Sequence, residues 1–285
     1  MLEKENALPT VGLIAGSGRF PFLVAQGARR HGLRVVACGF YGNTDPALAE
    51  ETDAFAMLHL GQLGALIAFF KRHKTESVCM AGAISKPGAL DFRPDLRAAK
   101  LLFKLRGNRG DNALLRAVAG ELHSEGLTVV RPETLVPDLR GPAGILGEHA
   151  PDPETRLDIR FGWKIAKATG SLDIGQCVVV RGGIVIAVEA IEGTDAALER
   201  GGEFGGPGCT AVKVLKPGQD ERLDLPSIGA GTIALLARYR YACLAFEAGK
   251  TLFFDQQAAL TAADEHGIAV VGIPSDADAF FENYL

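Results

Sequence analysis

Cysteine is scarce in this chain and never paired. Its 285 residues include only five, Cys38, Cys79, Cys177, Cys209 and Cys243. They are odd in number, scattered, and form no CxxC pair, which argues against a disulfide framework or a cysteine zinc site and for reduced, buried thiols in the cytosol. Long apolar runs are missing too. The longest stretch without formal charge, Ala54–Phe70, contains His59, Gly61, Gln62 and Gly64 and falls short of the ~20 apolar residues a membrane helix needs. It reads as a strand, a Gly-Gln-Leu-Gly turn and the start of a helix. The N-terminus, with Glu3, Lys4 and Glu5, lacks the basic region and apolar core of a signal peptide, so a cytoplasmic location is expected. There is no excess of positive charge. The net charge of −4 argues against a nucleic-acid protein held by phosphate contacts, yet leaves room for a small phosphorylated ligand. There is no internal repeat and no low-complexity tract.

What is present suits a soluble globular protein, with 47% hydrophobic and 22% charged residues and enough length for one large domain or two modest ones. In the first half, strand and helix alternate. Strands are expected at Val11–Ala15, Leu33–Cys38, Ser77–Ala83 and Leu127–Arg131, and helices at Pro21–Arg30, Leu63–Lys74, Ala98–Leu105 and Asp111–Glu125. That spacing predicts a parallel sheet with helices on both faces. Pro132, Pro137, Pro142, Pro151 and Pro153, with Gly141, Gly144 and Gly147 among them, then mark an interdomain connection. The second half mixes strands and helices, with paired strands at Gln176–Val180 and Gly183–Glu189. The expected organisation is an N-terminal domain over 1–137, a linker over 138–156 and a distinct α/β C-terminal domain over 157–285.

Val11–Pro21 carries a glycine loop, Gly16-Ser17-Gly18, between a strand and a helix. Glycines let a ligand approach the backbone, and free N–H groups at the helix start suit an anion. The third glycine of GxGxxG is absent, and Pro21 stands in its place, where a first helical turn needs no N–H. The second strand ends Ala37-Cys38-Gly39-Phe40, without the acid that binds ribose in dinucleotide folds. The loop is therefore either a turn packing helix on strand or a mononucleotide or UDP site; NAD is disfavoured. Ser17 also lacks a GxSxG setting and a paired His, against serine hydrolase chemistry.

Acids gather in the second half. Glu189, Glu192 and Asp195 follow a very apolar strand, where charges tend to lie at a sheet rim. Further on, Lys213, Lys216 and Arg222 alternate with Asp220 and Asp224 in a proline-bounded segment. Pyrophosphate hydrolysis uses such a mixture: carboxylates hold Mg²⁺ or Mn²⁺, and bases offset the developing charge. Hard oxygen ligands favour these ions over zinc, and the six histidines have no HxxxH spacing. A solvated loop of salt-bridged charges is the plain alternative. Lys86 follows a predicted parallel strand, where such sheets bind ligands. Asp111 suits either ligand contact or a helix N-cap. Trp163 is a core or interface residue, and His59, His123, His149 and His266 are surface or capping residues.

Taken together, these motifs resemble the LpxI-type UDP-2,3-diacylglucosamine pyrophosphatases over almost the whole chain. The resemblance rests on Gly12–Gly18 with Pro21, Gly61-Gln62-Leu63, Ala81-Gly82-Ala83 with Pro87, and Gly110–Arg116. It continues through Leu172–Gln176, Val188–Asp195, and Lys216–Asp220 with Arg222, Asp224 and Pro226. The glycine motif alone has little specificity; the last three in this order are specific. The resemblance implies hydrolysis of UDP-2,3-diacylglucosamine to UMP and 2,3-diacylglucosamine 1-phosphate (lipid X) in lipid A biosynthesis, with Mg²⁺ or Mn²⁺. It also implies a Rossmann-like parallel-sheet N-terminal domain paired with a distinct α/β C-terminal domain, and a homodimer that meets its lipid at the inner face of the inner membrane. On it, Asp224, Asp220 and Arg222 are the expected catalytic residues. Asp224, Asp220, Glu189, Glu192 and Asp195 are the metal ligands. Gly16, Ser17, Gly18, Lys86, Asp111, Lys213, Lys216 and Gln219 contact substrate. An NAD- or nucleotide-sugar-dependent oxidoreductase and a non-enzymatic nucleotide or lipid carrier are the alternatives.

Overall fold

The computed structural model describes residues 9–84, 92–105 and 111–284. Two compact units divide the chain, one formed by Met1–Pro137 with Asp220–Asp224, the other by Asp138–Gln219 with Leu225–Leu285.

In the first unit, β1 (Thr10–Ala15), β2 (Arg34–Phe40), β3 (Ala54–Leu58), β4 (Ser77–Ala81) and β5 (Thr128–Val129) make one parallel sheet in the order β3-β2-β1-β4-β5. The connections include helices α1 (Phe20–Arg30), α2 (Leu63–Arg72), α3 (Leu96–Lys104) and α4 (Asp111–Ser124). This is the parallel sheet expected from the alternation and the Rossmann-like domain expected from the resemblance. Consecutive residues of β2, Val35–Phe40, are all buried, as a strand covered on both faces requires. Helix α1 packs on β1, β2 and β4. Its buried Val24, Ala25 and Ala28 form one stripe, while Arg29 and Arg30 complement the dipole at its end. Phe70 of α2 buries with Val36, Cys38 and Val78 from alternate strand positions, and Leu122, Leu127 and the distant Leu223 complete that cluster. At about 25 cal/mol per Å² of apolar surface, a fully buried Phe or Leu contributes roughly 1.5–3 kcal/mol.

In the second unit, the strands are β6 (Gly144–Leu146), β7 (Cys177–Arg181), β8 (Ile184–Val188), β9 (Thr210–Lys213), β10 (Ser227–Ile228), β11 (Cys243–Glu247), β12 (Leu252–Phe253) and β13 (Ala269–Ile273). The helices are α5 (Pro153–Ser171), α6 (Thr194–Gly205), α7 (Ala230–Arg238), α8 (Gln256–Glu265) and α9 (Ala277–Tyr284). Six strands form a mixed sheet in the order β6-β13-β11-β9-β7-β8, and β10 pairs separately with β12. Strands β9, β11 and β13 are parallel, while β7 runs antiparallel to β8 and β9. The β7–β8 turn is closed by the buried Asp158 of α5, which accepts from Gly182 N at 2.9 Å and Gly183 N at 2.7 Å. Both glycines have positive φ, 57° and 74°, as a two-residue hairpin turn of this kind demands.

One face of this sheet buries Leu198, Ile233, Leu236 and Ala259. The other buries Ile159, Trp163, Ala166, Phe280 and Phe281, which makes Trp163 a core residue. Within the stretch expected to be a plain connection, β6 lies antiparallel on β13 as an edge strand. Three residues between prolines are too few to show any periodicity. All five cysteines are buried. Among the described residues, no helix is long and apolar enough to cross a membrane.

Candidate functional site

In the first sheet the chain order reverses at β1, so the topological switch point lies between β1 and β4, beyond their carboxyl ends. Open α/β sheets bind ligands at such points. The glycine loop occupies it. Gly16 N donates to Ala81 O at 2.8 Å and Ser17 N to Ala83 O at 2.7 Å, and Ser17 Oγ donates to the same carbonyl at 2.9 Å. A Cβ on Gly16 would stand 2.4 Å from Ala83 O, and one on Gly82 2.5 Å from Ser17 O. Gly16 is thus required where two loop backbones clasp. Gly18 differs: its φ is +83° and nothing lies within 4 Å of its Cβ position. Behind the loop, Thr44 Oγ1 donates to Ala15 O at 2.6 Å and accepts from Phe40 N at 2.8 Å, which ties β1 to β2. Asp111 begins α4; Lys86 lies outside the described residues.

The segment Asp220–Asp224 belongs to this same unit. Arg222 grips Asp220 through Nε at 2.9 Å and an Nη at 2.6 Å, and Arg222 N adds a third bond at 3.1 Å. The side-chain bonds from Arg222 hold the Asp220 carboxyl below the ordinary carboxylate range, and the pair in turn raises the Arg222 guanidinium. Leu223 N donates to Asp220 O at 2.9 Å while its side chain enters the apolar core. An ion pair from Arg131 to Glu221 at 3.4 Å borders the turn. Asp224 sits at its end, exposed.

In the second unit, polar groups collect along one sheet edge. Strands β9, β11 and β13 end there, β7 begins there with Cys177 opposite Lys213, and β8 ends there with Val188 opposite Val178. Glu189 is buried; its Oε1 accepts from Thr194 Oγ1 at 3.0 Å and its Oε2 from Gln176 N at 3.2 Å. Glu192 pairs with Arg200 at 2.5 Å and accepts from Ala190 N at 3.1 Å. Its own backbone N–H and then Arg200 hold its carboxyl below the ordinary range. Asp195 is exposed in the first turn of α6. The buried Lys213 donates to Ser227 O at 2.8 Å. Lys216 donates to Asp173 at 2.9 Å, and Gln219 Oε1 accepts from Lys216 N at 3.4 Å.

Glu247, a residue not anticipated from the sequence, is a third engaged carboxylate beside Glu189 and Glu192 on this edge. It is 3% exposed. Its Oε2 accepts from Lys167 Nζ at 2.5 Å and Leu215 N at 2.9 Å, and its Oε1 from Ser275 Oγ at 3.0 Å. Lys167 lies over the Trp163 ring at 5.1 Å. A charge ending the apolar run Cys243–Phe246 is the same signal that singled out Glu189. Its partner 80 residues away has no sequence signature.

The five carboxylates expected to hold a metal are thus divided between the units: Asp220 and Asp224 in the first, Glu189, Glu192 and Asp195 in the second. Among the described residues, no group of three or more His, Cys, Asp or Glu side chains is arranged as a ligand nest. Mg²⁺ keeps several waters and is commonly held by one or two carboxylates plus substrate phosphates, so a single acidic turn is chemically adequate.

A Rossmann-like sheet with a glycine loop at its switch point, joined in one chain to a mixed sheet with a charged edge, defines a two-unit α/β protein. Residues 10–139 match the LpxI N-terminal domain and residues 142–271 the LpxI C-terminal domain. The chain is 36% identical over 275 residues to the UDP-2,3-diacylglucosamine pyrophosphatase LpxI of Caulobacter vibrioides, covering 92% of this chain and 97% of that protein. It belongs to the LpxI family.

Two solved structures show a distant likeness. Pyruvate carboxylase from Rhizobium etli aligns with a TM-score of 0.27 at 11% identity, over 49% of this chain and 14% of that one. N5-carboxyaminoimidazole synthetase from Staphylococcus aureus aligns at 0.25 and 11%, over 65% and 41%.

Proposed function

We propose that this protein hydrolyses UDP-2,3-diacylglucosamine to UMP and 2,3-diacylglucosamine 1-phosphate, a step of lipid A biosynthesis. The observation that carries this reading is the 36% identity, over nearly the full length of both chains, to a protein bearing that activity as its name. The site chemistry supports it. The first unit offers a glycine loop at a switch point, without the acid a dinucleotide ribose calls for, and an acidic turn whose arginine is already ionised and oriented.

In this reading Asp224 acts at the pyrophosphate, on a turn shaped by Leu223 in the core and by the Asp220–Arg222 pair. Asp220 and Asp224 are the carboxylates we assign to a divalent cation, Mg²⁺ or Mn²⁺. Such an ion, when bound, polarises a phosphoryl oxygen and lowers the pKa of water. Arg222 orients Asp220 and places positive charge beside the turn. Gly18 leaves room for close approach to the backbone, and Lys213, Lys216 and Gln219 supply donors in the second unit. Lys86 and Asp111 stay in the reading as substrate contacts, Glu189, Glu192 and Asp195 as a second set of carboxylates, and a homodimer as the assembly.

The test is UMP release from UDP-2,3-diacylglucosamine by the pure protein, with Mg²⁺ and with excess EDTA, beside Asp224→Ala. The expected result is metal-dependent release that falls on the order of 10²-fold or more in a variant that keeps its circular dichroism. Release that survives the substitution moves the chemistry to other acids. Release that ignores EDTA removes the metal from the reading. No release under any condition overturns the hydrolase and leaves a carrier.

A further inference from the structure

Helix α3 is apolar on two opposite sides. Ala98 and Leu101 face inward and bury with the first unit's core. The outward stripe is Leu96, Ala99, Lys100, Phe103 and Lys104, whose i, i+3, i+4, i+7 and i+8 spacing places them on one face. Leu96 is 83% exposed and Phe103 63%, with Lys100 and Lys104 exposed beside them and Arg93 just before the helix. A solvent-exposed helix side normally carries polar residues.

Among the described residues, the acids beside α3 are engaged. Arg97 pairs with Glu121 at 3.3 Å and with Glu125 at 2.5 Å, and Lys71 also pairs with Glu125. Asp95 caps the helix, accepting from Arg97 N at 3.1 Å and Ala98 N at 2.9 Å. The charge the stripe presents outward is therefore that of Lys100 and Lys104, on a chain whose net charge is −4. Two large apolar side chains among lysines are the pattern of a helix lying in a bilayer interface: the apolar groups enter the headgroup boundary while the ammonium groups meet anionic phosphates.

We propose that the outward face of α3 docks on an anionic phospholipid bilayer. The inference rests on the lipid-linked substrate of the reading above, because an enzyme acting on a diacyl sugar must collect it from a membrane. Contact through one short helix is weak and reversible.

The test is co-sedimentation of the full chain with vesicles of equal parts phosphatidylglycerol and phosphatidylcholine, against vesicles of phosphatidylcholine alone. Binding is expected on the anionic vesicles only, and is expected to weaken as salt rises. Lys100→Glu with Lys104→Glu, and separately Leu96→Ser with Phe103→Ser, should each lower binding by about tenfold or more. Both variants should hydrolyse substrate dispersed in detergent micelles at the parent rate but lose activity on substrate embedded in anionic vesicles. Equal binding to both vesicle types, absent binding, or variants that bind like the parent would overturn the proposal. So would variants that change the oligomeric state while vesicle binding stays intact, which would make the face a contact between copies of the chain. If the parent fails to hydrolyse even micellar substrate, the hydrolase reading is lost, whereas the sedimentation result decides the docking face by itself.

Discussion

Arg222 closes on both carboxylate oxygens of Asp220, with Nε 2.9 Å from one and an Nη 2.6 Å from the other. The two residues are separated by a single position, and Leu223 beside them is anchored in the core. A planar fork is needed for this grip, and an ammonium cannot supply it. Arg222→Lys is therefore expected to lower kcat for UMP release by about tenfold to a hundredfold, with little change in melting temperature. Parent-like kinetics in that variant would remove the pair from the chemistry.

The same pair sets a pH dependence. The folded pKa of Asp220 is depressed, so its contribution to stability is present above its unfolded value of about 3.9 and is lost as pH falls through the lower folded value. Arg222→Gln removes the main cause of the depression. The stability gap between parent and variant should be constant near neutrality and close below about pH 4, as read from urea midpoints. A gap that widens toward acid would contradict this assignment.

Gly16 and Gly120 should respond to alanine in opposite directions. At Gly16 the new methyl meets the Ala83 carbonyl at 2.4 Å, a backbone atom held by Ser17 N and Ser17 Oγ, so Gly16→Ala should cost about 1–3 kcal/mol. Gly120 lies inside α4, with nothing within 4 Å of its Cβ position, so Gly120→Ala should stabilise by roughly 0.5–1 kcal/mol. Thermal melts measure both. Equal shifts for the two variants would refute the steric account of the clasped loops.

Glu247 is the single acceptor shared by Lys167, Leu215 N and Ser275. Removing it leaves the Leu215 amide without its acceptor, at a cost of about 1–3 kcal/mol, while the partly exposed Lys167 keeps the Leu215 carbonyl at 3.3 Å. Glu247→Ala should lower the denaturation midpoint accordingly, while Glu247→Gln, which keeps an acceptor oxygen, should lose less. If the two variants lose the same stability, the polar contacts contribute little.

The thiols should be inert in the native protein. Burial pushes Cys38, Cys79 and Cys177 up to about 12, and it raises Cys209 and Cys243 as well. The thiolate is the reactive form. Titration with Ellman's reagent at pH 8 should count no fast thiol in native protein and five after guanidinium, five being the number in the sequence. A rapid native thiol would place one of them at the surface.

Much of the fold was legible because local chemistry and long-range packing agree there. The runs that become β1, β2 and β4 are apolar enough to be buried on both faces, Gly16-Ser17-Gly18 and Pro21 punctuate the first strand–helix junction, and the alternation itself requires a parallel sheet. The acidic motifs at Val188–Asp195 and Lys216–Asp224 were visible as charges abutting apolar strands. Chain order, though, carries no distances. That β1 neighbours β4, that Leu223 packs in the core of the first unit, and that Lys167 reaches Glu247 are outcomes of packing between residues far apart in sequence. Strands of two or three residues, such as β6, β10 and β12, are too short to show a repeating pattern and exist only because a neighbour pairs with them. What the sequence determined alone was the type of each long element and the residue chemistry available for a site. Which of those charges pairs with a neighbour, as Asp220 does with Arg222 and Glu192 with Arg200, was decided by the folded structure, because a carboxylate's partners are set by geometry in space.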